Sequence, residues 1–150
     1  MPEWSYSAKL DDENVVKASL REVDLSMKKT RELLRSLKGM RLPHAREFLE
    51  GVIALRRAVP YKRFKKKVPH RRGMAAGRYP VKSAKMILKL LDSLEANAEV
   101  KGLNPDNVKI IHTAVHKARK IRKYIPRAFG RSSPYIKELV HVELIGREVE

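Results

Sequence analysis

An α+β fold is what the sequence predicts, and three observations carry that expectation. Apolar residues recur at helical spacing in three segments, which calls for helices with one buried face. Near both ends of the chain apolar residues alternate with polar ones, as in half-buried strands. Beyond the turn signal GLNPDN, β-branched residues lead into a second extended stretch, so that a pair of strands follows the last helix. A chain of 150 residues that is 43% hydrophobic can form one core, and a single domain over residues 1–150 is expected.

The elements follow in order. The run VVKASLREVDLS, from Val15, has the partial alternation of a strand. Ser26 is placed to cap a helix over MKKTRELLRSLK, which Gly39 ends. Pro43 suits the first turn of a second helix, in which Ala45, Phe48, Leu49, Val52 and Ile53 make one apolar face. Residues 59–78 read as a loop rich in Pro, Gly and cations, where Gly73 and Gly77 act as spacers. A third helix starts around Pro80 and buries Ala84, Ile87, Leu88, Leu91, Leu94 and Ala98. Val140, Val142 and Leu144 alternate in the last strand.

Charge sets the functional class. Lys and Arg number 34 against 17 Asp and Glu, a formal +17 with a pI near 10.3, far beyond what solubility asks for. The basicity is segregated. Residues 51–91 hold 13 cations and residues 107–137 hold 9, with no acid in either window. The remaining 78 residues carry 12 cations against all 17 acids, a net of −5. Ordinary solvated faces intersperse both signs, so two single-sign segments imply a polyanionic partner.

Placement within the windows sharpens this. On the third helix Lys82, Lys85 and Lys89 occupy the first half, with Asp92, Glu95 and Glu99 in the second. That is the reverse of what the helix macrodipole favours, and the sequence offers no stabilising reason for it. It suits a helix start that faces phosphates. Residues 118–136, ARKIRKYIPRAFGRSSPYI, combine six cations with Tyr124, Phe129 and Tyr135 and no carboxylate. Cations bind phosphates and aromatics stack on unpaired bases, a pairing better matched to irregular folded RNA than to B-form DNA. Gly130 permits a turn there, while Pro126 and Pro134 stiffen its flanks.

The runs SMKKTRELLRSLKGMRLPHA, YPVKSAKMILKLLDSLEANA and YIPRAFGRSSPY, in that order over nearly the whole chain, resemble the universal large-subunit ribosomal protein twenty-two family in its archaeal and eukaryotic form. The most specific pieces are Ala96-Asn97-Ala98 at the end of the third helix, and Pro126-Arg127-Ala128 with Gly130-Arg131. The resemblance implies three helices packed on a small antiparallel sheet, with a long protruding β-hairpin at about residues 108–146 and its tip at 124–133. It implies binding to large-subunit ribosomal RNA, support of subunit assembly, contact with neighbouring large-subunit proteins, and a hairpin lining the nascent-peptide exit tunnel. Arg127, Ala128, Phe129, Gly130 and Arg131 would then meet the nascent polypeptide at the tunnel wall. Relative to the compact bacterial form the chain carries the extra basic loop at 59–78. It lacks the longer C-terminal tail of many eukaryotic members, which favours an archaeal source.

The candidate RNA-binding residues are therefore Arg56, Arg57, Lys62, Arg63, Lys65, Lys66, Lys67, Arg71, Arg72 and Arg78 around the loop, then Lys82, Lys85 and Lys89 on the third helix. The hairpin adds Lys117, Arg119, Lys120, Arg122, Lys123, Tyr124, Arg127, Phe129, Arg131 and Tyr135. With a turn centred near Ala128, each arm of roughly twenty residues reaches about 65 Å. A compact chain of this length has a radius of gyration of about 15 Å, so such a hairpin must protrude.

Other classes have less behind them. HTAVH, residues 112–116, has helical zinc spacing, but Thr113 stands where a general-base Glu is needed, and the chain has no Cys. In a strand those histidines lie about 13 Å apart, too far to share a metal. No glycine-rich phosphate loop follows a strand, so neither an enzyme nor a cofactor is expected. An architectural DNA-binding protein is the alternative reading, but it lacks a recognition helix or dimer seam. HKARKIRKYI lacks the broad apolar face of a membrane-surface helix. No apolar run is long enough to span a bilayer, and Met1-Pro2-Glu3-Trp4 lacks signal-peptide character, so a cytoplasmic protein without a membrane partner is expected. Neither basic window offers an apolar dimer patch, so the chain is expected to be a monomer outside the ribosome.

Overall fold

The computed structural model describes residues 4–10 and 12–149, which leaves the first three residues of the N-terminal tetrapeptide outside it. Strand β1 spans Val15–Val23, and its alternation turns Val16 and Ala18 into the core. Helix α1, Met27–Leu37, buries Thr30, Leu33, Leu34 and Leu37. Ser26 holds the N-cap position, but its side chain makes no cap hydrogen bond. Gly39, at φ +92°, turns the chain after the helix in a conformation that suits glycine. Helix α2, Leu42–Ile53, has Pro43 in its first turn and buries Ala45, Phe48, Leu49 and Val52. Ile53 is only half-buried.

The basic stretch at 59–78 is more than a plain loop. Val59–Pro60 (β2) pairs antiparallel with Gly77–Arg78 (β3), which clamps its two ends. Helix α3 runs from Val81 to Val100, past the Ala-Asn-Ala predicted to end it. Leu90 is fully buried on it and Leu88 only partly. The buried side is wider than one stripe because α3 packs on α2 and on β1 at once. Thr30 of α1 and Ser83 of α3 share a buried hydroxyl hydrogen bond of 3.0 Å, so neither polar side chain is left unsatisfied. A short 3₁₀ turn at Pro105–Asn107 leads into β4, Val108–Pro126, and then β5, Ser132–Glu148.

These strands form one antiparallel sheet of order β1-β5-β4. Val140, Val142 and Leu144 join the core with the three helices. At Gly146 an added Cβ would sit 2.5 Å from Cγ1 of Val108 on β4, while Leu94 Cδ2 of α3 would lie at an ordinary 3.5 Å, so it is the neighbouring strand's side chain that leaves no room for one here. Alternation sends Glu143 to the opposite face, yet it is 1% exposed. The N-terminal segment accounts for that. Ser7 donates from its backbone N–H (3.1 Å) and its hydroxyl (2.6 Å) to Glu143, Trp4 meets His141 edge-on with centroids 4.8 Å apart, and Arg21 lies 4.5 Å over the Trp4 ring.

The hairpin divides in two. Its lower half belongs to the core, while from Arg119 to Glu138 every residue but Ser133 is exposed. At about 3.3 Å per residue the 19-residue β4 is about 63 Å long. A compact protein of 17.3 kDa exposes about 7,800 Å². This chain exposes 10082 Å², and the projecting arm supplies the excess.

Candidate RNA interface

The basic loop is held from beneath by one carboxylate. Glu32 of α1 is 2% exposed and accepts backbone N–H groups from Lys62 (3.0 Å), Arg63 (2.9 Å) and Phe64 (3.0 Å). Burial pushes its pKa up, but those three donors outweigh burial and hold it below its ordinary value of 4.5. Tyr61 N–H bonds Ala76 C=O and Gly77 N–H bonds Pro69 C=O, which closes the loop across its base. Phe64 lies between Lys28 and Arg63, each 5.8 Å from its ring centroid. With the backbone tied down in this way, Lys62, Arg63, Lys65, Lys66, Lys67, Arg71, Arg72 and Arg78 are all exposed.

The loop cations differ in how far they are engaged. Arg71 lies 5.3 Å over Tyr79 and reaches Gly77 C=O, and Arg78 reaches Lys67 C=O. Arg57 lies 5.8 Å over Phe48. Lys65, Lys66, Lys67 and Arg72 make no ion pair among the described residues.

The reversed charge pattern of α3 has a partial structural cause that the sequence did not reveal. Lys82 pairs with Asp24 at 2.7 Å, and Arg46 of α2 bridges Asp92 at 2.7 Å and Glu95 at 2.6 Å. Hydrogen bonds from Lys82 first and Lys137 second hold the Asp24 carboxyl below its usual range. Lys85 and Lys89 remain exposed without an ion pair among the described residues, so the stripe is reduced from three free cations to two.

On the hairpin, internal pairing is confined to the root. Arg119 pairs with Glu22 at 2.9 Å, Lys120 with Glu138 at 3.1 Å and Lys137 with Asp24 at 3.0 Å. The Lys120 hydrogen bond depresses the Glu138 pKa. Beyond this girdle Arg122, Lys123 and Arg131 make no ion pair among the described residues, and Arg127 donates to Ser133 Oγ at 3.2 Å. The cross-strand register sorts the faces. Arg122, Tyr124, Pro134 and Ile136 share one, while Ile121, Lys123, Ile125, Tyr135 and Lys137 share the other. Each face therefore mixes cations with apolar or aromatic groups.

The turn at the tip spans residues 127–131, inside the predicted 124–133. Phe129 (φ +55°) and Gly130 (φ +65°) are its central residues, and Arg131 N–H donates to Ala128 C=O at 3.3 Å, the type I′ pattern of tight hairpins. Glycine takes that conformation freely, whereas a phenylalanine there costs on the order of 1 kcal/mol or more. That side chain is 99% exposed.

His112 and His116 lie on β4, each with its own partner. His112 Nε2 is 3.1 Å from Ser7 Oγ, and His116 Nε2 is 3.7 Å from Glu143. Among the described residues no group of three or more His, Asp or Glu is placed to hold a metal ion.

Comparison with known proteins gives this arrangement a lineage. The family model for ribosomal protein L22p/L17e matches residues 18–147. The large ribosomal subunit protein uL22 of Thermofilum pendens is 56% identical over 151 residues that cover all of both chains. Those of Hyperthermus butylicus, 46% identical over the whole of both chains, and of Methanopyrus kandleri, 49% identical over 97% of this chain and 96% of that one, are similarly close. These relatives are archaeal, in line with the source the sequence favours. The chain belongs to the ribosomal protein L22p/L17e family, a constituent of the large subunit of the cytoplasmic ribosome.

Proposed function

We propose that the chain binds large-subunit ribosomal RNA through the basic loop, the free lysines of α3 and both faces of the outer hairpin, supports subunit assembly, and lines the nascent-peptide exit tunnel with residues 127–131. The observation that carries this reading is the outer hairpin. It has cations and aromatics on both faces and is covered on neither. A hairpin meant to pack on one surface would keep one apolar face. One with the same mixed chemistry all round is suited to being enclosed by an irregular polyanion, with guanidinium and ammonium groups on phosphates and Tyr124, Tyr135 and Phe129 against unpaired bases. The role is structural rather than catalytic. Neighbouring large-subunit proteins share the assembled site, the growing polypeptide passes the tip, and outside the ribosome the chain is a monomer.

Sedimentation of the native protein in cell extract tests this. The protein is expected to travel with large subunits at low salt and to leave them only as salt rises. Release as a nuclease-sensitive complex with DNA, or recovery with membranes, would refute it.

A further inference from the structure

A third basic site is assembled across the fold from segments that are distant in sequence. Between α1 and β4, where the hairpin leaves the body, an open cleft of about 510 Å³ is lined by Arg31, Arg35 and Lys38 of α1, Arg63 of the basic loop, and Thr113 and His116 of β4. The i, i+4, i+7 spacing puts the three α1 cations on one face of that helix. They are exposed, and none makes an ion pair among the described residues. Glu32 also lines the cleft and stays ionised, but its oxygens are taken up by the backbone donors of Lys62, Arg63 and Phe64, and one carboxylate against four cations leaves the cleft net positive. On the opposite wall β4 is the edge of the sheet; Ile110 bonds Gly39 and Met40 across that edge, and farther along, at Thr113–His116, no described strand lies beside it. Four permanent positive charges around a concave surface reinforce one another and draw in an anion.

We propose that this cleft seats a run of RNA phosphodiester backbone that grips the root of the hairpin. The proposal rests on the RNA-binding reading above and adds to it a site built from Arg31, Arg35 and Lys38. From Arg31 to Lys38 the cations extend about 10 Å along the helix, more than one phosphate group can satisfy. The described lining holds no Phe, Tyr or Trp, and its one ring, His116, lies 3.7 Å from the Glu143 carboxylate, so the cleft is better suited to backbone than to stacked bases. Guanidinium groups match phosphate oxygens in bidentate geometry. Continuity with the loop through Arg63 favours the polyanion already assigned to that loop over an acidic protein segment. One stretch of backbone held by α1, the loop and β4 together would fix the direction in which the hairpin leaves the body.

The test is the full chain carrying Arg31→Gln, Arg35→Gln and Lys38→Gln, which keeps the side-chain stems and good helix formers. The single variant Arg35→Gln is a milder companion. Thermal unfolding establishes that both fold, and binding to protein-free archaeal large-subunit rRNA is followed over a KCl series. The expected result for the triple variant is at least a tenfold loss of affinity at low salt. Its log-log salt slope should also be shallower by about 2 to 3, with the single variant shifted by about 0.9 or less. Unchanged affinity and slope in the triple variant, in a preparation where loop substitutions do weaken binding, would overturn the cleft while leaving the RNA reading intact. A wild-type chain that fails to bind this rRNA would bring down both. If the triple variant lost binding to poly-glutamate and not to rRNA, the cleft would be a seat for acidic protein and the proposal wrong.

Discussion

Replacing Glu32 with alanine removes the single acceptor that three consecutive backbone N–H groups of the basic loop share. Two of these, from Arg63 and Phe64, go to Oε1, and the third, from Lys62, goes to Oε2. Hydrogen bonds to a charged group contribute about 1.5 to 3 kcal/mol each. Two terms reduce the sum here: the carboxylate is itself desolvated, and the exposed loop lets water rehydrate its freed donors. About 2 to 4 kcal/mol is then expected for Glu32→Ala, which lowers Tm by about 5 to 15 °C for a chain of this size. Glu32→Gln keeps an oxygen for Arg63 and Phe64 but sets an amide donor against the Lys62 N–H, so about half that loss is expected. Because the folded-state pKa lies below 4.5, the carboxylate's contribution is fully present above about pH 4.5 and is lost as pH falls through the folded value. The gap between wild type and Glu32→Gln should therefore close in acid. Urea unfolding at neutral and acid pH reads the energies, and trypsin cleavage within 62–78 reads loop opening. An alanine variant within about 0.5 kcal/mol of wild type, with an unchanged cleavage rate, would refute the view that Glu32 organises the loop.

Gly146→Ala drives a methyl group against Val108 Cγ1 at 2.5 Å, and a loss of about 1 to 3 kcal/mol is expected on overpacking, read by urea unfolding; a neutral result would show that β4 yields freely there. Deleting residues 122–136 and joining Ile121 to Lys137, which already face each other, through an Asn-Gly turn should preserve both strand register and body, since the described core lies outside the deletion. Thermal unfolding should then stay cooperative while incorporation into large subunits weakens, and a lost transition would make the tip part of the core. Changing Lys62, Arg63, Lys65, Lys66 and Lys67 to Ala should weaken rRNA binding and flatten its salt slope by about 0.9 for each duplex phosphate that the loop no longer neutralises, as measured by KCl titration.

The sequence made the backbone plan readable because its signals are local. Ala45, Phe48, Leu49 and Val52 repeat at 3.6 residues, Pro43 marks the start of α2, and Val140, Val142 and Leu144 alternate. What it concealed comes from partners far along the chain. Glu143 reads as an outward polar residue of an alternating strand, and only the return of Ser7 more than a hundred positions away buries it. Glu32 looks like an ordinary polar-face acid of α1, because nothing near it shows that the backbone at 62–64 converges on it. The misplaced charges of α3 needed Asp24 and Arg46 before they made sense. Arg31, Arg35 and Lys38 are hidden for a related reason: they sit outside both acid-free windows, next to an acid whose engagement by the loop backbone only the fold reveals. Segregation along the chain finds basic segments, whereas the α1–β4 cleft is basic only once three segments meet.

The outer hairpin also bears on how the free chain survives before assembly. Two long strands with unpaired outer edges offer templates for strand addition by a second copy, the first step toward aggregation. Here the guard is mutual repulsion, because Arg122, Lys123, Arg127 and Arg131 make any two approaching tips electrostatic neighbours of the same sign. Such protection depends on the charges staying uncompensated. A polyanion that screened them without enclosing the strands would strip the guard and leave the edges open, so the chain is safest either alone or fully seated in RNA.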